Sequence, residues 1–347
     1  MNPKTILVLF GGCSSEHDVS LQSACGVLSH WDHARYTPLT VGITREGAWL
    51  HYAGTPDALP GGGWQKGPCV PCTLRLDRGR AALLELEGPR RELPFDGAFP
   101  LLHGKNGEDG TLQGLLELAG VPIVGCGALS SALCMDKDRA HRLAALAGVA
   151  VPESVLLPAG AGPAEFLRAA RTLAFPLFVK PVRSGSSLGV SRVTEEGRLL
   201  PAVEEALRHD REVLLEQAVP GFEVGCAVMG CETLTMGEVD EIQLSQGFFD
   251  FTEKYTLNTS AIHCPARVPP RKAEEIKQAA RTVYRALDCR VMARVDLFLT
   301  PEGGIVFNEV NTVPGFTPHS RYPAMMARAG LDFPSLVSRL IELGVEA

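Results

Sequence analysis

Apolar and polar positions alternate most sharply in two runs, Met292-Ala-Arg-Val-Asp-Leu-Phe-Leu299 and Ile305-Val-Phe-Asn-Glu-Val-Asn311. Pro301-Glu-Gly-Gly304 lies between them, proline early and glycine late, so the pair predicts a β-hairpin. A turn centred between Glu302 and Gly303 sets Asp296 opposite Glu309 and Arg294 opposite Asn311. Strand side chains alternate with period two, so these four polar groups share one face, while Val295, Leu297 and Val310 point the other way. Two carboxylates and an amide are hard oxygen donors, and beside an arginine they suit a Mg²⁺–nucleotide complex. A solvated strand face with ordinary ion pairs is the plainer alternative.

Elsewhere the pattern predicts strands and helices in alternation. Residues 5–10 read as a strand, followed by a glycine loop and a helix from Val19 to about Trp31. Strand-like runs recur at Thr37–Gly42, Gly97–Leu102 and Val121–Val124, with a helix over Thr111–Ala119 that stops at Gly120. That order predicts a parallel α/β unit. The Gly/Pro-rich stretch Gly54–Pro68 reads as a surface loop, with a small strand pair after it. A second unit begins near Leu129 with a helix over Lys137–Ala147. It continues through a strand at Ala174–Pro181, a helix at Pro201–His209 and a strand at Glu212–Glu216. Val219-Pro-Gly221 marks the next boundary. The last unit carries the hairpin and a closing helix from Phe333. Residues 244–264 have few periodic apolar positions and read as a mobile lid. The predicted domains are 1–128, 129–219 and 220–347.

Composition narrows the function. The 347 residues carry 33 basic and 40 acidic side chains, net −7, with no basic stripe. Nucleic acid is an unexpected partner, because phosphate binding is driven by clustered Lys and Arg. No run approaches the ~18 apolar residues of a membrane span. Ile6–Phe10 is too short for a signal-peptide core. A cytoplasmic enzyme is the expectation. The ten cysteines then read mainly as small buried hydrophobes. Cys69-Val-Pro-Cys72 has redox or half-zinc spacing but lacks a second pair.

Several loops carry candidate chemistry. Arg183-Ser-Gly-Ser-Ser-Leu-Gly189 follows a strand ending in Lys180-Pro181, and its small residues let backbone N–H groups and the Ser186 and Ser187 hydroxyls approach a phosphate. The spacing is not that of a P-loop. A plain flexible turn is the alternative. Lys137 and Lys180 are candidate phosphate contacts, or solvated lysines. Glu216 and Glu223 are candidate partners of a nucleoside, or surface acids. Gly11–Ser20 and His103–Gly110 are glycine-rich loops at strand ends, where α/β proteins place ligands.

Taken together these pieces resemble the D-alanine–D-alanine ligase family of the ATP-grasp superfamily over nearly the whole chain. The resemblance rests on Phe10-Gly-Gly12 with Ser14–Ser20, Leu102-His-Gly104 with Gly107–Gly114, Met135-Asp-Lys137, Val179–Ser187, Glu253-Lys-Tyr255, Arg294-Val-Asp296 and Asn308–Gly315. Arg183–Ser187 and His319-Ser-Arg-Tyr-Pro323 look like the glycopeptide-resistance branch, since housekeeping members more often carry Glu at the Ser184 position and Leu at the Arg321 position. Asp240-Glu-Ile242 and Phe248–Tyr255 look most like the D-alanine–D-serine ligases.

The resemblance implies an α/β ATP-grasp fold of three domains, with ATP between the second and third. Lys137, Lys180 and Ser187 would contact phosphates, and Glu216 and Glu223 adenine and ribose. Asp296, Glu309 and Asn311 would hold two Mg²⁺ ions, with Mn²⁺ as a substitute. Glu16 would receive the ammonium of the first D-amino acid, and Ser186 and Tyr255 would join it in closing the site. Arg294 and the backbone of Gly315 would stabilise the oxyanion. His103, Lys254, Ser320, Arg321 and Asp240 would face the second substrate. A homodimer is likewise implied. A non-catalytic nucleotide-binding regulator and a two-domain binding protein of periplasmic type are the readings from other classes. The intact hairpin tells against both.

Overall fold

In the computed structural model, which describes residues 3–244, 260–317 and 319–346, three sheets organise the chain. The first is built around β1 (Lys4–Gly11), whose Ile6–Phe10 run is wholly buried. A strand apolar on both faces belongs in the middle of a covered parallel sheet. β1 pairs in parallel with β2 (Tyr36–Ile43) on one side and β7 (Gly97–Pro100) on the other. The sheet is mixed rather than parallel throughout. Beyond β2 come β3 (Trp49–Tyr52), β4 (Cys69–Arg75), β5 (Ala82–Glu85) and β6 (Glu92–Pro94), all antiparallel. The short connections from β2 to β3, β4 to β5 and β5 to β6 allow only antiparallel neighbours, because a parallel return needs a long crossover. The strand expected at Val121–Val124 is reduced to a single bridge between Ala98 and Ile123.

The stretch expected as a surface loop does more than connect. It forms two 3₁₀ segments, Pro56–Ala58 and Pro60–Lys66, that carry Trp64 into the core. The indole packs edge-on against Phe10 at 5.2 Å and Tyr52 at 6.0 Å. Gly42 leaves room for it, since a Cβ there would lie 2.3 Å from the ring. Helices α1 (His17–Ser29), α2 (Thr111–Leu118), α3 (Ala128–Met135) and α4 (Lys137–Leu146) follow. α4 is capped by Asp136, whose carboxylate accepts from the Arg139 N–H.

The second sheet has the order β10-β9-β11-β8, from β8 (Ser154–Pro158), β9 (Leu177–Pro181), β10 (Ser191–Val193) and β11 (Glu212–Gln217). Helices α5 (Pro163–Ala170) and α6 (Leu199–Leu207) cover its apolar face through Phe166, Leu199, Val203 and Ala206. The third sheet comprises β12 (Phe222–Gly230), β13 (Leu234–Met236), β14 (Asp240–Leu244), β15 (Ser260–His263), β16 (Val291–Leu299) and β17 (Ile305–Asn311). α7 (Pro270–Ala286) packs on it with Ile276, Ala280, Val283 and Tyr284, a helical apolar stripe. α8 (Arg321–Arg328) and α9 (Phe333–Val345) return to the first sheet, where Leu336, Val337, Leu340 and Ile341 share one core with Ile6, Val8 and Phe99.

The predicted hairpin forms, with one difference. Arg294 faces Asn311 and Asp296 faces Glu309, but Leu297 then faces Phe307 and Leu299 faces Ile305. Asn308 is therefore an extra residue, a β-bulge, and the turn centres on Glu302. Bulges leave little trace in sequence, since alternation is kept on either side. Among the described residues, no helix is long and apolar enough to cross a membrane.

Replacing Trp64 with Ala removes the largest fully buried side chain of the first unit. We expect a loss of about 3–5 kcal/mol, read as a lower urea midpoint for that unit, with turnover at 25 °C retained.

Candidate active site

Two cavities meet where the three sheets converge. The larger, of about 970 Å³, lies between the second and third sheets and is lined by Phe178, Lys180, Glu216, Glu223, Asn308 and Glu309 among others. That is ample for a nucleotide. The smaller, of about 470 Å³, is lined by Glu16, His103, Glu108, Arg294, Gly315 and Arg321 among others. Lys137, Ser184 and Glu309 face both.

In the larger cavity β9 presents Lys180 and its neighbour β11 presents Glu216, joined at 2.6 Å. Glu216 is 2% exposed, and its Oε2 is a buried oxygen with no partner among the described residues. A buried acceptor without a donor costs free energy, so this oxygen is suited to an N–H from a ligand. Lys137 opens α4 and donates to the Ser184 carbonyl at 2.6 Å. Ser186 and Ser187 both have positive φ, 49° and 57°. Non-glycine residues there carry strain of order 1–3 kcal/mol each, of the kind that collects at ligand loops. The Ser186 hydroxyl donates to Glu16, tying this loop to the first unit.

Glu16 explains two glycines. A Cβ at Gly104 would lie 2.4 Å from its Oε2, and one at Gly185 would lie 3.0 Å away. Both glycine loops thus approach one carboxylate. Around it the buried groups are fully engaged. His103 Nδ1 lies 2.9 Å from the Val313 carbonyl, so that nitrogen carries the proton, and Nε2 accepts from Ser23 at 3.0 Å. Burial pushes the His103 pKa down, opposed by Glu16. Ser23 in turn accepts from the Phe316 N–H at 3.2 Å.

On the hairpin face the side chain of Arg294 grips Asp296 with two nitrogens, at 2.8 and 2.6 Å. Asp296 is 1% exposed. Arg321 joins from α8, held by Asp240 at 2.7 and 2.8 Å, by Glu223 at 2.7 Å and by Asp296 at 3.4 Å. Arg321 and Asp240 are both buried. Asn311 Oδ1 is a second buried oxygen with no partner among the described residues. Within those residues no three His, Cys, Asp or Glu side chains form a ready cage for a metal. The oxygen donors that can serve a cation are Asp296, Glu309 and Asn311, and Asp296 must share with Arg294. Formally, the carboxylates Glu223, Asp240 and Asp296 face the guanidiniums Arg294 and Arg321, an excess of one negative charge.

All but four of the site residues expected from sequence line the two cavities; Asp240 and Asp296 are buried instead, bonded to Arg321 and Arg294. Lys254 and Tyr255 lie outside the described residues. Ser320 accepts from the Thr317 N–H at 2.9 Å, and a Cβ on Gly315 would lie 2.8 Å from its oxygen. Cys69 and Cys72 are free thiols on β4, away from both cavities.

Sequence reasoning missed Glu108, although Gly107-Glu-Asp-Gly110 carries part of the family resemblance. Its carboxyl accepts from the Gly104 N–H at 2.6 Å and the Val313 N–H at 3.2 Å. Burial raises its pKa to about 8, with Glu16 adding to the shift and the two N–H groups opposing it. Only that fold of two loops around one side chain reveals the role.

The comparisons with known proteins agree with this geometry. Residues 5–126 match the D-ala D-ala ligase N-terminus family and residues 146–342 the D-ala D-ala ligase C-terminus family. The chain belongs to the D-alanine–D-alanine ligase family, with the ATP-grasp architecture. It is a ligase of the D-alanine–D-X type. The vancomycin B-type resistance protein VanB of Enterococcus faecalis is 46% identical over the full length of both chains. A putative D-alanine–D-lactate ligase of Streptomyces coelicolor is 46% identical over 97% of this chain and 96% of its own. Among solved structures, the VanG D-Ala:D-Ser ligase from Enterococcus faecalis superposes with a TM-score of 0.92 at 50% identity. The match covers 99% of this chain and all of that one.

The Glu108 environment has a testable sign. A carboxyl whose pKa is higher folded than unfolded favours the fold below the unfolded value, and that contribution is lost as pH rises through the folded one. Through this group, ligand-free protein should therefore lose thermal stability between about pH 4.5 and 8, and Glu108→Gln should flatten that slope. Parallel slopes in scanning calorimetry would reject the assignment.

Proposed function

We propose that this protein uses ATP to join D-alanine to D-serine. The observation that carries the choice of second substrate is the buried pair Asp240–Arg321, locked by charge-assisted bonds, with Arg321 lining the smaller cavity. A methyl-sized apolar pocket rejects an added hydroxyl weakly, whereas a site built around polar groups penalises the analogue that lacks one. The likeness to the VanG D-Ala:D-Ser ligase supports the same choice. D-alanine as second substrate is the alternative. Lactate is disfavoured because depsipeptide-forming relatives, as the sequence resemblance implies, carry histidine where this chain has Tyr255.

In this reading ATP occupies the larger cavity. Glu216, with its unpaired Oε2, takes an adenine N–H, Glu223 faces the ribose, and Lys137, Lys180 and Ser187 face the phosphates. Asp296, Glu309 and Asn311 hold two Mg²⁺ ions, for which Mn²⁺ can substitute. Bound there, Mg²⁺ neutralises phosphate oxygens during phosphoryl transfer. Glu16 orients the ammonium of the first D-alanine, whose carboxylate receives the γ-phosphoryl group. The amine of the second D-amino acid then displaces phosphate and forms the peptide bond. Lys254 and Ser320 take its carboxylate, and His103, neutral and fully bonded, shapes the wall beside it. Arg294 and the Gly315 N–H steady the oxyanion. Tyr255 closes the site with Ser186 against water, since an acylphosphate hydrolyses readily. The reading also carries domains at 1–128, 129–219 and 220–347 with the lid at 244–264, a homodimer, and a cytoplasmic setting.

Two measurements check it. Arg294→Lys keeps a charge but loses the planar fork that holds Asp296. Ligation should fall by roughly 2.7–4 kcal/mol of transition-state stabilisation, with the unfolding midpoint little changed. Lost stability with near-normal turnover would mean that the arginine serves only the strand. Second, equal D-serine and D-alanine at neutral pH should yield mostly D-alanyl-D-serine by mass spectrometry, and Arg321→Leu should shift the ratio toward D-alanyl-D-alanine. A wild-type product dominated by D-alanyl-D-alanine would overturn the assignment.

A further inference from the structure

The bulge at Asn308 has a specific support. β17 is the outermost strand of its sheet, so one edge of its backbone lies off the ladder. Two groups cover that edge. The Phe307 N–H donates to the Ala150 carbonyl at 2.8 Å. The Asn308 carbonyl lies 2.8 Å from His141 Nε2. A carbonyl only accepts, so Nε2 carries the proton. Nδ1 is buried and has no partner among the described residues.

His141 is 3% exposed and sits on α4 one turn beyond Lys137, a lysine of both cavities. Its ring packs edge-on against Phe307 at 5.5 Å. The side chain therefore holds the residue before the bulge by packing and the bulge residue itself by a hydrogen bond. The geometry of the strand depends on that hold. In a regular strand, neighbouring side chains alternate faces. Here Asn308 and Glu309 both line the larger cavity, while Phe307 is fully buried on the other side. Only the extra residue permits that arrangement.

We propose that His141 is a positioning residue for the phosphate and metal site, pinning the Asn308 bulge so that Glu309 faces the Lys137–Lys180 cavity. The proposal rests on reading Glu309 as a magnesium ligand. Outer groups that orient a metal ligand are typically worth 10–100-fold in metal affinity when removed.

Glutamine and asparagine at position 141 separate positioning from packing. A glutamine amide reaches about as far as Nε2 and can donate to the same carbonyl, whereas asparagine is too short. The readout is ADP binding by calorimetry with and without Mg²⁺, alongside KM for D-alanine. His141→Asn should lower the Mg²⁺-dependent gain in ADP affinity by about 10–100-fold. Its metal-free ADP affinity and its D-alanine KM should stay within about twofold of wild type. His141→Gln should keep most of the gain. The proposal is overturned if Asn and Gln behave alike, or if both lose thermal stability with the magnesium gain intact. Glu309→Gln is the control. If it leaves the gain unchanged, the metal reading fails on its own account, whatever the His141 variants do.

Discussion

Arg321 lies across Gly225 on β12, between two aspartates that flank that glycine in the ladder, Asp240 on β14 and Asp296 on β16. A Cβ at Gly225 would lie 2.4 Å from the Arg321 guanidinium and 2.8 Å from the Asp240 carboxylate. The cluster thus requires glycine at the centre of a sheet, where it otherwise weakens the strand. A buried charge is tolerated only when paired and hydrogen-bonded, and removing one member of such a pair costs about 3–5 kcal/mol. The rest of the site hangs on this constraint. Arg294 is held by Asp296, the hairpin is held by its pairing to β12, and Glu223 reaches from the same strand into the larger cavity.

A second set of contacts ties the first unit to the loop after the hairpin. Val313 is gripped at both backbone groups, its carbonyl by His103 and its N–H by Glu108, while the Phe316 N–H donates to Ser23. Gly315 lies between these anchors. Its N–H is thereby fixed relative to the Glu16 loop, as preorganised stabilisation of a developing charge would demand. The tether also explains why His103 is a poor proton carrier. Both nitrogens are engaged, and burial disfavours the charged ring.

The hairpin was legible because a short-range signal specified it. Alternation and a turn between the runs set which residues face each other, and Arg294 does face Asn311. The bulge escaped because the outer pairs are unchanged by one extra residue nearer the turn. Trp64 escaped because glycine and proline around it suggested exposure, whereas the two glycines with positive φ, Gly61 and Gly62, bend the chain inward. Glu108 and His141 act through backbone groups over two hundred and over one hundred and sixty residues away respectively. Local pattern holds no record of such pairings. The Asp240–Arg321 pair was legible as two polar candidates, but its burial depends on three strands and a helix meeting.

Lys137, Ser184 and Glu309 form a partition common to both chambers, and Arg321 in the smaller chamber is bonded to Glu223 in the larger. The two chambers are therefore physically coupled. Exchanging Arg321 for an apolar residue strips partners from Glu223, Asp240 and Asp296 at once, and so disturbs a carboxylate that lines the larger chamber. Changes at this position should be epistatic with Glu223 and Asp240, because each of them loses a buried charge partner.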